Sequence, residues 1–73
     1  MDADLLCRIG EALYGRSNFR HRLAEDLCFD LRAVQRMCAG AVPVSREVQD
    51  RVYGMLKRRE REFVDLLLEV EGR

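Results

Sequence analysis

Leu23-Ala24-Glu25-Asp26-Leu27-Cys28-Phe29-Asp30-Leu31-Arg32-Ala33-Val34-Gln35-Arg36-Met37 is the stretch whose reading decides the fold. Leu23, Ala24 and Leu27 recur at helical spacing, and with Phe19 upstream they form one apolar face. Leu31, Val34, Met37 and Cys38 repeat that spacing after a break, with Asp30 placed to cap the new helix and Gly40 to stop it. Only Cys28 and Phe29 stand between Leu27 and that cap, so two short helices must turn sharply against each other.

Working outward, Leu5, Leu6, Ile9, Ala12 and Leu13 mark an N-terminal helix, with Asp2 and Asp4 at its positive end and Gly15 placed to close it. Gly10 inside that helix costs about 1 kcal/mol relative to alanine, which points to close approach by a neighbouring helix. Ser17 or Asn18 is positioned to cap the second helix. Ala41-Val42-Pro43-Val44 reads as extended, because the residue before proline avoids helical angles. Ser45 then caps a stretch from Arg46 to Glu71 that holds no proline and only Gly54 as a weak breaker. This is either one helix about 39 Å long or two helices joined near Lys57–Glu62. No strand alternation occurs. The expectation is an all-α, compact bundle of four to five helices with a long C-terminal helix, forming a single domain over residues 1–73.

A 73-residue chain buries only about 60% of its unfolded surface and needs support beyond one small core. Its 48% hydrophobic content suits a globular protein. Cys7, Cys28 and Cys38 are odd in number, and the opening Met-Asp-Ala-Asp lacks the basic start of a secretion signal. The thiols therefore read as small apolar side chains in a reducing, cytoplasmic setting. With His21 as the one histidine and no short paired spacing, no metal site and no cofactor are expected. No apolar run approaches a membrane span, and no small-molecule ligand is expected.

Net charge is zero, but it is unevenly spread. Residues 1–15 carry net −2, residues 16–59 carry ten basic and five acidic groups for net +5, and residues 60–73 carry net −3. A basic middle bounded by acid suits phosphate contact, although a solvated helix face is also rich in charge. The mixed-sign run Lys57-Arg58-Arg59-Glu60-Arg61-Glu62 reads as a solvated face, and His21 as a surface residue. Nothing resembles a nucleophile elbow, a phosphate-binding glycine loop or a metal pair. Glu25 and Asp26 are adjacent on a helix and do not face a common site. The chain is not expected to be an enzyme.

The quoted stretch resembles the helix-turn-helix of the lambda-repressor/Cro-like family, the motif covering about residues 18–40 and the wider resemblance residues 5–56. Ala24 matches the small residue at the helix crossing. Leu23, Leu27, Phe29, Val34 and Met37 match the apolar anchors, and Gly40 and Pro43 match the glycine and proline that follow. The chain departs from the pattern at Cys28, where the family usually has glycine at positive φ. The resemblance implies sequence-specific binding of double-stranded DNA by a small transcriptional regulator, most simply a repressor. Leu31, Arg32, Gln35 and Arg36 would meet base edges in the major groove. Arg20 would hold a phosphate, with further backbone contacts from Arg16, Arg22 and Arg46.

A competing function is a helical protein-interaction module, antitoxin-like or adaptor, that uses the same fold without sequence-specific DNA binding. Either function leaves the C-terminal extension, about residues 57–72, to be explained. Leu56, Phe63 and Val70 recur at sevens, with Val52 and Leu66 in a second row that Arg59 interrupts. Phe63, Leu66, Leu67 and Val70 are surplus to a core already closed by residues 5–56. They are expected to form a homodimer interface that pairs recognition helices on a palindromic operator. Folding back on the core is the other way to bury them.

Overall fold

The computed structural model describes residues 1–72 and contains four helices: α1 (Ala3–Tyr14), α2 (Phe19–Leu27), α3 (Leu31–Cys38) and α4 (Arg46–Glu71). No strand is present among the described residues, and none of their helices is long and apolar enough to cross a membrane. The region near Lys57–Glu62 is continuous helix, so α4 is one rod of 26 residues. Its length accounts for the molecule's long axis, in principal extents of 48 × 24 × 20 Å.

Helix ends follow local chemistry, with two corrections. Asp2 accepts from the Leu5 amide at 2.8 Å and caps α1, and Ser45 accepts from the Val48 amide at 3.2 Å and caps α4. Asn18 and Asp30 occupy the N-cap positions of α2 and α3, but neither side chain makes a capping hydrogen bond. Asn18 is instead left-handed, at φ +59°, a conformation its short polar side chain tolerates. Asp30 is extended and its carboxylate is exposed to solvent.

The turn after α2 is closed by its backbone. Phe29 N–H donates to Ala24 C=O at 3.0 Å and Cys28 N–H to Glu25 C=O at 3.1 Å, the paired bonds of a Schellman motif. The motif requires a left-handed residue at its pivot, and Cys28 fills that place at φ +57°. A side chain there costs about 1 kcal/mol relative to glycine. α3 ends in the same motif, with Ala41 N–H on Arg36 C=O and Gly40 N–H on Met37 C=O, and here a glycine holds the pivot at φ +78°.

Leu6, Leu23, Leu27, Val34, Val48 and Val52 are fully buried, drawn from all four helices, and Phe19, Ala24, Met37, Cys38 and Val44 complete the core. Each buried aliphatic side chain contributes about 1.5–3 kcal/mol. α1, α2 and α3 pack on one another in every pairing, whereas α4 meets the trio through α2. Three members of the expected α1 stripe do not join the core: Leu5 and Ala12 are exposed, and Leu13 is half-buried outside it. Gly10 is buried where the Phe19 ring crosses α1, and a Cβ there would overlap the ring.

Beyond Leu56 the rod leaves the core behind. Every described residue from Lys57 onward is exposed, including Phe63 at 58%, Leu66 at 55%, Leu67 at 58% and Val70 at 68%. The apolar face does not fold back.

Two substitutions of opposite sign check this packing by urea denaturation. Cys28→Gly relieves the pivot and is expected to add about 0.5–1 kcal/mol. Gly10→Ala forces a Cβ against a buried ring and is expected to lose about 1–2 kcal/mol, since overpacking outweighs the helix-propensity gain.

Candidate functional site

α3 has two unlike faces. Val34, Met37 and Cys38 are buried, while Arg32, Gln35 and Arg36 are exposed at i, i+3 and i+4 and therefore adjoin on the surface. Among the described residues, none of those three side chains is engaged in a salt bridge. Two guanidinium forks and a carboxamide thus share one open face, a donor-rich set with a single side-chain acceptor. Leu31 lies at the edge of that face but is half-buried against the core, so only part of it is available for contact. Asp30, read from sequence as a cap, instead places a free carboxylate at the leading end of the face.

The four arginines expected to contact phosphate do not form one patch. Arg20 stacks on the Phe19 ring at 4.4 Å from its centroid and reaches toward the C-terminal end of α3, where its charge acts on the Cys38 thiol. Arg22, two residues on and so about 200° around α2, lies over the Tyr14 ring at 5.6 Å, on the side of α1. Arg16 is exposed in the turn between α1 and α2. Arg46 opens α4 and approaches Asp50 at 3.5 Å, its side chain almost wholly in solvent. Arg20 is the member of the four placed beside α3.

Arg51 was not singled out by the sequence. Its guanidinium donates to the Leu27 carbonyl at the end of α2, pairs with Glu47 at 2.7 Å and lies over the Phe29 ring at 5.1 Å. It ties α4 to the α2–α3 turn and satisfies an end-of-helix carbonyl. The one hint in the sequence was the Glu47–Arg51 spacing of four.

A second polar cluster also escaped sequence reasoning, because its members come from three helices. Tyr14 donates to the Asp26 carboxylate, and Leu13, Tyr14, Asp26, Met55, Arg58, Arg59 and Glu62 line a shallow depression. Partial burial, then the hydrogen bond to Asp26 and its negative charge, push the Tyr14 phenol up to about 12, against smaller opposing effects of Arg59 and Arg22.

Of the three thiols, Cys38 belongs to the core and Cys7 packs against it, whereas Cys28 does neither. Cys38 is buried and Cys7 donates to its carbonyl at 3.5 Å, and burial followed by the neighbouring Cys7 pushes the Cys38 thiol up to about 11. Cys28 is exposed at the turn, and His21 is exposed on α2. No cluster of metal-ligating side chains occurs among the described residues. No family model, curated protein or solved structure matches the chain.

The Tyr14 contact has a testable pH signature. A folded-state value above the unfolded one means that its stabilising contribution is complete below about pH 10 and is lost as pH rises toward about 12. Urea stability measured across that window should fall more steeply for the wild type than for Tyr14→Phe. Parallel profiles would remove the assignment.

Proposed function

We propose that this chain binds double-stranded DNA sequence-specifically through α3, as a small dimeric transcriptional regulator of the repressor type. The observation that carries the reading is the open Arg32/Gln35/Arg36 face on a short helix whose other side is locked into the core. Arginine matches the O6 and N7 acceptors of guanine, and glutamine matches the N6 and N7 of adenine. The α2–turn–α3 arrangement, with a left-handed pivot at the position where the resembled helix-turn-helix has glycine, supports the same reading. Leu31 offers its exposed edge to a thymine methyl, and Asp30 can accept from a cytosine amino group. Arg20 beside α3 is the phosphate contact of choice, with Arg16, Arg22 and Arg46 reaching the backbone at the periphery. The reading places the chain in the cytoplasm, with no cofactor and no catalytic step.

A second copy has a defined role in this proposal. One eight-residue helix reads only a few base pairs, whereas two copies joined through Phe63, Leu66, Leu67 and Val70 would read a palindrome with half-sites about 34 Å apart. The size of the exposed apolar face also favours the alternative of a helical protein-interaction module, in which a different protein covers it.

Selection from random-sequence duplexes followed by mobility shift separates the two. Arg32→Ala and Arg36→Ala are each expected to cost about 1–3 kcal/mol of specific binding with unchanged circular dichroism. Arg20→Ala should instead lower the slope of log affinity against log salt by about one while keeping sequence preference. Failure to select any sequence, or binding that is flat in salt, would favour the protein-interaction module. Phe63→Glu/Leu67→Glu is expected to sediment as a folded monomer in the tens of micromolar, where the wild type sediments as a dimer. A wild-type monomer would defeat the second-copy role.

A further inference from the structure

The distal half of α4 carries an apolar face with no cover in the structure. Phe63, Val64, Leu66, Leu67, Leu68 and Val70 are between 47% and 68% exposed, on the part of α4 that lies past the depression ending at Glu62. Phe63, Leu66, Leu67 and Val70 lie within about 100° of one another on the helix and offer on the order of 400 Å² per copy, about 800 Å² for a pair, to which the groove beside Leu56 adds.

The charge around this face is divided along the rod. Lys57, Arg58, Arg59 and Arg61, with Glu60 and Glu62 between them, give the proximal part net +2. Asp65, Glu69 and Glu71 give the distal part, through Gly72, net −3. Laid parallel to a second copy, basic part would meet basic part and acidic part would meet acidic. Arg59, which lies in the heptad row between Val52 and Leu66, would face its own counterpart. Laid antiparallel, each basic part meets an acidic one, so that the segment is complementary to its own inverted copy, as an isologous two-fold contact requires.

From this division we infer that the distal halves of α4 from two copies pair antiparallel, with the overlap centred at residues 63–64. This rests on the reading that a second copy covers the apolar face, and it is independent of DNA binding. In this register Lys57 comes beside the partner's Glu71 on one flank of the seam, and Arg58 is level with the partner's Glu69 on the other. Phe63 faces the partner's Phe63 across the centre, offset by about 1.5 Å along the axis. The partner's Val70 comes down alongside Leu56, at the edge of the open groove that Leu5, Ile9, Tyr53 and Leu56 line between α1 and α4, and the partner's Leu67 comes level with Glu60. At about 1.5 Å rise per residue the two Val52 positions, each in its own core, lie about 35 Å apart along the pair. That spacing is close to the turn of DNA, about 34 Å, that separates half-sites.

A charge-reversal series on the full chain tests the orientation, with dimer dissociation constants from sedimentation equilibrium and circular dichroism as the folding control. Lys57→Glu/Arg58→Glu is expected to raise the dissociation constant at least tenfold, by setting acid against acid. Glu69→Lys/Glu71→Lys should do the same, by setting base against base. The fourfold variant combining both pairs is expected to return to within about threefold of wild type, and all of these effects should shrink in high salt. A parallel pair would respond otherwise: each double variant would bind as the wild type does, or more tightly. A dimer whose charge variants behave in that way overturns the antiparallel arrangement and leaves the second copy standing. A wild type that stays monomeric in the tens of micromolar overturns both, whatever the result with DNA.

Discussion

The turn between α2 and α3 is the constraint on which the rest depends. The chain must reverse within Cys28-Phe29-Asp30, and it does so by closing two backbone hydrogen bonds around a residue with positive φ. That closure sets the direction of α3. It buries Val34 and Met37 against Leu23 and Leu27, and it leaves Arg32, Gln35 and Arg36 on the outside. A strained cysteine is tolerated there because the two bonds, the half-buried Phe29 and the Arg51 guanidinium over it together outweigh about 1 kcal/mol of conformational cost. The polar face of α3 is therefore held in place from its buried side.

α4 serves two structural ends with one continuous helix. Val48 and Val52 complete the core, and Arg51 braces the turn. Past Leu56 the same rod leaves the core, skirts the Tyr14–Asp26 depression as far as Glu62, and keeps its apolar period beyond it. An isolated helix of this length is marginal in water, so the distal half draws its helicity from the anchored proximal half and, on the proposed reading, from a second copy. The zero net charge conceals the same division of labour. The basic groups near α3 and at the start of the distal rod are offset by acids concentrated at its end and in α1.

The helices themselves were legible because each carries its own periodicity and punctuation. Phe19, Leu23, Ala24 and Leu27, followed by Val34, Met37 and Cys38, are buried as their spacing demands. Asp2 and Ser45 cap because a short side chain one step before a helix meets its free amides whatever the surroundings. Asn18 and Asp30 failed as side-chain caps although their positions were right. Asn18 has a left-handed backbone in place of the extended one that Asp2 and Ser45 share, whereas Asp30 is extended like Ser45 and nothing in the structure explains its missing cap bond. Leu5 and Ala12 fit the α1 pattern yet stay exposed, because periodicity identifies a face but not how far the neighbouring helices extend over it.

What the sequence determined by itself was therefore local and periodic: an all-helical chain, the faces of α2 and α3, the sharp turn at Cys28 and an apolar surplus beyond Leu56. Tertiary structure alone decided what depends on the meeting of distant segments. Arg20 and Arg22 look like neighbours in the chain, but helical geometry sends one toward α3 and the other to Tyr14. Tyr14, Asp26, Arg59 and Glu62 gather around one depression from three helices, and Arg51 reaches back across 24 positions to Leu27. Whether α4 runs through Lys57–Glu62 was equally open to the sequence, because its mixed charges suit a helix and a joint alike. Such associations follow from the crossing of helices in space, and helical periodicity holds no information about that.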